Sequence, residues 1–537
     1  MDTLALPRDA RAVVAARLLP IALALCCNSC VRVQHSARVP HQLRIADSAD
    51  PSSLNPLLAH DQDTIAFDRL FVQTLVGLDA ANRLIPILVT RVPSRANGDI
   101  AADGRTIVYH LRRDVRFADG RPLTARDVAF TFRAIMDPRN PVLSQDAYRR
   151  VESLTMPDPY TVVVRLRARW AAAVRELFAE SDFAFGILPA HAFTSTALQH
   201  AAWEDRAYGS GPFRVTRWLR GDRVVLEPNP YFSPRPRLAR LELLVVPDAN
   251  AAVNALRSRD VDLARIAPGQ VLELQSVRTV RVVATAINGM DYLALQTAAV
   301  PTSDLRVRRA IAEALDVAVV ERTFQGLYPR AAAFLPPVFA WHNPKLRPIE
   351  QNAAAAAAQL DAAGWNLRGG VRTRNGKPLE LLFVAESNGE LDYAPIVQRQ
   401  LAALGIRMIT KSFPVSTFNA PNGPIRTGRF NIAAQGWIGG ADPEQSVTFS
   451  CRQVGLADNI SRFCDARFEA AFEDQRVARS YRRRGADFLA MQRIVYDRLP
   501  VVPLNYVVYF DAIDSHVTGF ARNMLGFPVG AENWDVK

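Results

Sequence analysis

The feature that most constrains the fold is an alternation of element types. Leu241–Val246 is an apolar strand, Ala249–Arg259 has apolar residues at helical spacing, and Val261–Leu263 is a short strand again. Strand–helix–strand order covers a sheet with helices, and it predicts an α/β architecture. The order recurs downstream. Strand Leu379–Val384, helix Tyr393–Leu404 and strand Ile406–Ile409 are followed by helix Ala486–Arg498 and the buried strand Val501–Val508. Upstream, Leu43–Ala46 opens a strand, and Ala66–Leu78 reads as a helix passing into a strand. Asp103-Gly104 turns a hairpin between Asn97–Ala102 and Thr106–Leu111. Thr124, with Asp127 three residues on, predicts a capped helix start. Thr161–Leu166 alternates as a strand, and Arg214–Trp218 pairs with Arg223–Leu226 about Gly221-Asp222. Arg306–Phe324 reads as one helix, and a second runs through six alanines to Gly364.

At 537 residues the chain suggests about three or four domains. It is long enough to bury cores without staples or structural metals. The 49% apolar and 22% charged residues are those of an ordinary globular chain. Sixty-five Lys and Arg against 53 Asp and Glu give a net charge of +12. Nucleic-acid binding asks for a basic stripe interleaved with stacking aromatics. Arg482-Arg483-Arg484 has Tyr481 alone beside it, so the cluster reads as a solvated helix face and no nucleic-acid partner is expected. Catalytic motifs are missing: no H-E-x-x-H, no phosphate-binding G-x-x-x-x-G-K-[ST] and no G-x-S-x-G. Gly209-Ser210-Gly211 runs into Pro212 and cannot cradle phosphate at a helix start. The eight histidines are scattered. No enzyme, cofactor or metal site is expected.

The N-terminus carries an address. Arg8, Arg11 and Arg17 precede the apolar run Leu18–Leu25, which stops at Cys26. A basic segment followed by a short apolar one is a secretory signal, too short to span a bilayer. The chain is therefore expected in the periplasm or cell envelope. Cys26, or Cys30 after Ser29, is a candidate for lipid attachment. One acyl chain holds a protein to a membrane only reversibly. Cys451 and Cys464 lie in a polar segment. In an exported chain they read as one disulfide closing a short loop, with two free thiols as the alternative. Zinc is disfavoured, because no further ligand stands at suitable spacing.

Several blocks then occur in a telling order. They are Leu54-Asn55-Pro56, Leu111–Gly120 with Leu123–Val128, Gly209–Phe213, Asn229–Phe232, Asp304–Ala310, Ala363-Gly364-Trp365, Gly436-Trp437 with Asp442-Pro443, the two late cysteines, and Leu499–Leu504. In that order the chain resembles the family 5 extracellular solute-binding proteins of ABC importers, from about Leu43 to beyond Leu525. The resemblance implies a two-lobe α/β binding protein of type II, with an extra inserted domain and hinge strands between the lobes. It places a signal and tether segment at 1–42. Lobe 1 takes 43–80, 201–288 and the return 504–537, the inserted domain takes 81–200, and lobe 2 takes 289–503. Crossings between lobes are expected near Thr285–Leu295 and Val501–Val508.

The resemblance also implies a function: a monomer that captures short peptides by hinge closure and delivers them to ABC permease subunits. Alternatives on the same fold are a metal chelate, opine or sugar ligand, and a sensory rather than a transport role. By position, the family's two backbone-gripping segments fall at Ala49, Asp50, Pro51 and Ser52, and at Gln435–Ala441 with Gln435, Gly436, Trp437, Ile438 and Gly439. Asp442 matches the acidic position that pairs with a peptide's amino group, and Trp437 offers a flat wall. The aromatic-rich Asp-Tyr often found before that position is missing here. Trp341 and His342 are loop candidates for the ligand's carboxylate.

Overall fold

The computed structural model describes residues 39–181, 185–199, 203–204, 207–323, 325–387, 394–454 and 459–537. The leader, with Cys26 and Cys30, lies outside the described residues. Ten strands form one sheet: β1 (Gln42–Asp47), β2 (Phe213–Leu219), β3 (Arg223–Pro228), β4 (Arg240–Val245), β5 (Leu263–Ile266), β6 (Val280–Leu295), β7 (Glu380–Glu386), β8 (Arg407–Phe413), β9 (Ile432–Ile438) and β10 (Val501–Asp514). Their spatial order is β8-β7-β9-β6-β10-β5-β1-β4-β3-β2. β1 runs parallel to both neighbours, and β7 is parallel to β8 and β9. Helices alternate with these strands, as the sequence predicts.

β6 and β10 are the longest strands, at 16 and 14 residues, and they join the two ends of the sheet. They pair antiparallel from Val280 opposite Asp514 to Ala294 opposite Val501, with a slip between Ala286 and Met290. The backbone groups freed by the slip find other partners. Asn288 N–H donates to Met524 O (2.8 Å) and Gly439 N–H to Asn288 O (2.7 Å). The Asn288 side chain donates to Gly440 O at 2.7 Å. A Cβ on Gly289 would meet the Trp437 carbonyl at 2.9 Å, so this crossing needs glycine.

A smaller three-stranded sheet lies in the 81–200 stretch, with Thr161–Leu166 between Thr106–His110 and Val151–Asp158. Helix Ala125–Met136 covers it. Its start is fixed by Asp127, which accepts from Thr124 N–H (2.8 Å) and Ala190 N–H (2.9 Å). One apolar core fills the first lobe and this sheet, and another fills the second lobe. A third lies between them, where Ile65 and Leu78 pack in one cluster with Phe334, Phe449 and Leu525. Two of the sequence blocks are tied together here: Asn229 donates to Gly211 O at 2.9 Å. A Cβ on Gly209 would lie 2.3 Å from Phe71 O, so that connection passes too close for any side chain.

Local expectations fail where a polar side chain ends an apolar pattern. Within Ala66–Leu78, expected as a helix passing into a strand, the strand is present at Val76–Leu78, but the helix spans Gln62–Asp68, because Asp61 caps it, accepting from Thr64 N–H. The Asp103-Gly104 hairpin reduces to one bridge, Ile100 to Ile107, and Thr106–His110 pairs with Thr161–Leu166. Arg306–Phe324 breaks into Leu305–Ala314 and Val317–Thr323, since Asp316 turns its carboxylate to Ala318 N–H (3.0 Å). The last long helix begins at Tyr481, five residues early, capped by Ser480. It therefore includes the basic cluster, and Arg484 points inward, not to solvent.

Candidate functional site

A cavity of about 830 Å³ opens between the two ends of the sheet. Asp47 and Ser48 at the end of β1, Phe67, and Arg265 in β5 line it from the first lobe. Glu386 and Gln435–Ile438 line it from the second, and Asp291 with Val507–Phe510 contribute the crossing strands. In α/β sheets, the crevice beyond the carboxyl ends of the strands is where ligands bind. Asp47, Ile266, Glu386 and Ile438 all stand at such ends.

β9 is the element that gives the cavity its chemistry. It pairs with β6 along its whole length, Ile432 opposite Leu295 to Ile438 opposite Gly289. On its other edge β7 pairs only at Ile432 and Ala433. Among the described residues, Gln435–Ile438 therefore has no strand along that edge, and its backbone polar groups there lie at the cavity. Gly436 keeps the strand close to β6, since a Cβ would meet Asp291 Oδ1 at 2.7 Å. Trp437 sets an aromatic face beside this edge.

Charges in the lining are largely engaged. Arg265 grips Asp63 with both terminal nitrogens at 2.6 Å and lies over the Tyr509 ring. Arg522 grips Asp511 at 2.9 and 3.0 Å. Asp291 accepts from Asn505 at 2.7 Å, and Glu386 from Asn419 at 3.0 Å. Burial, reinforced by the nearby Asp63 charge and opposed by Arg265, pushes the Asp47 carboxyl up to about 6. Four lining carboxylates face two guanidiniums, so the walls carry a negative excess.

The structure brings Gln435, Gly436, Trp437 and Ile438 to the cavity. Gly439 bonds Asn288 at the strand crossing. The first predicted segment sits beside the cavity, not on it. Ala49 is exposed and Pro51 buried. Asp50 accepts from Trp218 Nε1 (3.0 Å) and Gly221 N–H (2.7 Å), pinning the β2–β3 turn. Ser52 N–H donates to Thr64 Oγ1. Asp47 and Ser48, just upstream, take the lining positions instead.

Asp442 is committed elsewhere. Both its oxygens accept from Arg484, each at 2.6 Å, and the two side chains are buried. It is absent from the lining, and charge-assisted bonds of this kind leave little capacity for a ligand amine. Trp341 stacks on Phe488 at 5.1 Å under the same guanidinium, and His342 Nδ1 meets Leu335 O at 2.7 Å, so neither lines the cavity. Cys451 and Cys464 are joined, with Cα atoms 4.6 Å apart. No group of three or more His, Cys, Asp or Glu able to hold a metal occurs among the described residues.

Sequence reading missed Asp47, Asp63, Arg265, Asp291 and Glu386. Asp47, Arg265 and Glu386 stand at strand ends, Asp63 in the helix Gln62–Asp68 and Asp291 inside β6, and only the folded sheet brings them to one cavity.

The sequence profile of bacterial extracellular solute-binding proteins, family 5 Middle, matches residues 83–454. Di/tripeptide-binding protein 2 of Pseudomonas aeruginosa is 25% identical over 513 residues, covering 90% of this chain and 93% of that protein. The crystal structure of NikA from Brucella suis in complex with Fe(III)-EDTA superposes with a TM-score of 0.82 at 22% identity, over 92% of this chain and 100% of that one. AppA from Bacillus subtilis in complex with a nonapeptide gives 0.76 at 21% identity, over 92% and 99%.

Proposed function

We propose, from the premise that the chain belongs to the family 5 bacterial extracellular solute-binding proteins, that its ligand is a short peptide held as an added strand along β9. The family consists of binding proteins, not enzymes. One observation carries the reading: the edge of Gln435–Ile438 left open by β7 faces a cavity walled by both lobes. Peptides of varied sequence share a backbone, and an open strand edge binds that backbone while leaving side chains to pockets. Trp437 supplies an apolar wall tolerant of many side chains. The negative excess of the walls favours ligands with a positive group over anionic ones. The recognition of di- and tripeptides named for the Pseudomonas relative is consistent with this reading.

Binding is coupled to closure. Two crossing strands, β6 and β10, form the hinge, and a ligand touching both lobes shifts the open–closed equilibrium by its greater affinity for the closed form. The closed complex delivers its ligand to ABC permease subunits. The protein is an exported monomer, tethered through Cys26 or Cys30 where lipid is attached. The test is native mass spectrometry of the protein purified from its own periplasm. A ladder of added masses that fragment as peptides is expected. A single discrete non-peptide mass would instead favour a dedicated ligand such as a metal chelate.

A further inference from the structure

A second contact crosses from the 81–200 stretch to the second lobe, away from the cavity. Trp170 Nε1 donates to Glu444 Oε2 at 2.6 Å. Arg150 lies over the Trp170 ring, with a nitrogen 3.7 Å from Glu444 Oε1. Ala171 N–H donates to Arg476 O at 2.7 Å, and Arg476 Nε stands 2.8 Å from Glu444 Oε1. Arg175 donates to Ala441 O at 3.2 Å. Trp170, Ala171, Arg150 and Arg175 belong to one side of the cleft, while Ala441, Glu444 and Arg476 belong to the other. The hinge strands lie elsewhere, so these bonds exist only while the lobes are together.

We infer that Glu444, gripped by Trp170 and Arg150 across the cleft, is a latch that holds the lobes closed even without ligand and tightens as the medium becomes more acidic. The Trp170 N–H and the Glu444 carboxylate are largely desolvated, so the bond they make on closing counts more than it would at a wet surface. The latch rests on Asp442, which is fixed by Arg484 and accepts from Glu444 N–H at 3.1 Å.

Its acid response follows from what surrounds the carboxylate. Burial comes first and the Asp442 charge second, and they outweigh Arg150, the Trp170 N–H and Arg484, pushing Glu444 up to about 7. Arg476 stands at Oε1 and is itself shared with Glu473, while Arg175 lies at Ala441 and is held below its ordinary value, chiefly by burial. When the lobes part, Glu444 meets water and returns towards an ordinary carboxylate value of about 4.3. The closed form therefore binds more protons between those values, and lowering the pH favours it. Above about pH 7 the closed form carries a desolvated anion, and the preference is lost.

The test is small-angle scattering from the ligand-free mature protein at pH 8 and pH 5.5, for wild type, Trp170→Phe and Glu444→Gln. Glu444→Gln keeps an acceptor for Trp170 but cannot titrate; thermal unfolding verifies that both variants are folded. The wild type is expected to compact on acidification, its closed-to-open ratio rising by up to about thirtyfold. Trp170→Phe should be more expanded at both pH values, and Glu444→Gln should be equally compact at both. Identical scattering of wild type and Trp170→Phe overturns the latch. A wild-type response retained in Glu444→Gln overturns the assignment of the acid response to Glu444.

Discussion

Gln435–Ile438 and the segment Asp442–Glu444 are separated by three residues, yet they behave in opposite ways. The first keeps an uncharged backbone edge at the cavity, open on one side among the described residues. The second buries two carboxylates among guanidiniums and an indole. The part of this stretch that lines the cavity is the part with the fewest charges. Its charges hold protein to protein.

The largest effect is expected at Arg484. Arg484→Ala leaves Asp442 buried without its cation and should cost about 3–5 kcal/mol of stability, read by chemical denaturation. A loss under 1 kcal/mol would mean that Asp442 is not structurally committed. The Cys451–Cys464 bridge closes the end of the same stretch, and its reduction should cost about 3 kcal/mol by loop-closure entropy. Non-reducing peptide mapping should recover the two cysteines joined. On the open side, Trp437→Ala should leave stability little changed and weaken binding of peptides co-purified with the protein by about tenfold, measured by calorimetry. Equal affinity would remove Trp437 from the ligand wall. The smallest effect is expected at Asp50, the first lobe's counterpart of Asp442. Asp50→Ala frees Trp218 and Gly221 and should cost about 1 kcal/mol without altering affinity.

Fold and site were legible in the sequence to different depths. The strand and helix order could be read because periodicity is local, and the family resemblance supplied the two lobes and the β9 segment. Helix limits moved where Asp61, Asp316 and Ser480 turned side chains onto backbone N–H groups, a choice that apolar spacing does not register. Asp442 looked like a ligand carboxylate because its partner lies 42 residues on, inside a cluster that reads as solvated. Asp50 misled in the same way, with its hydrogen bonds made 168 and 171 residues away. Asp47, Arg265 and Asp291 come from three strands that only the folded sheet brings together. Of the two segments expected to grip a ligand backbone, Gln435–Ile438 lines the cavity and Ala49–Ser52 does not, and the partners of Asp50 and Asp442 are set by tertiary packing that sequence spacing does not show.

We propose that a peptide lies along the open edge of β9. Hydrogen–deuterium exchange of the mature protein, with its ligands removed and then with a mixture of tripeptides added, tests it most directly. Slowed exchange is expected at the amides of Gln435–Ile438 and at Asp47–Ser48, with little change at Asp442–Glu444. Protection centred on Asp442 with none along β9 would contradict it.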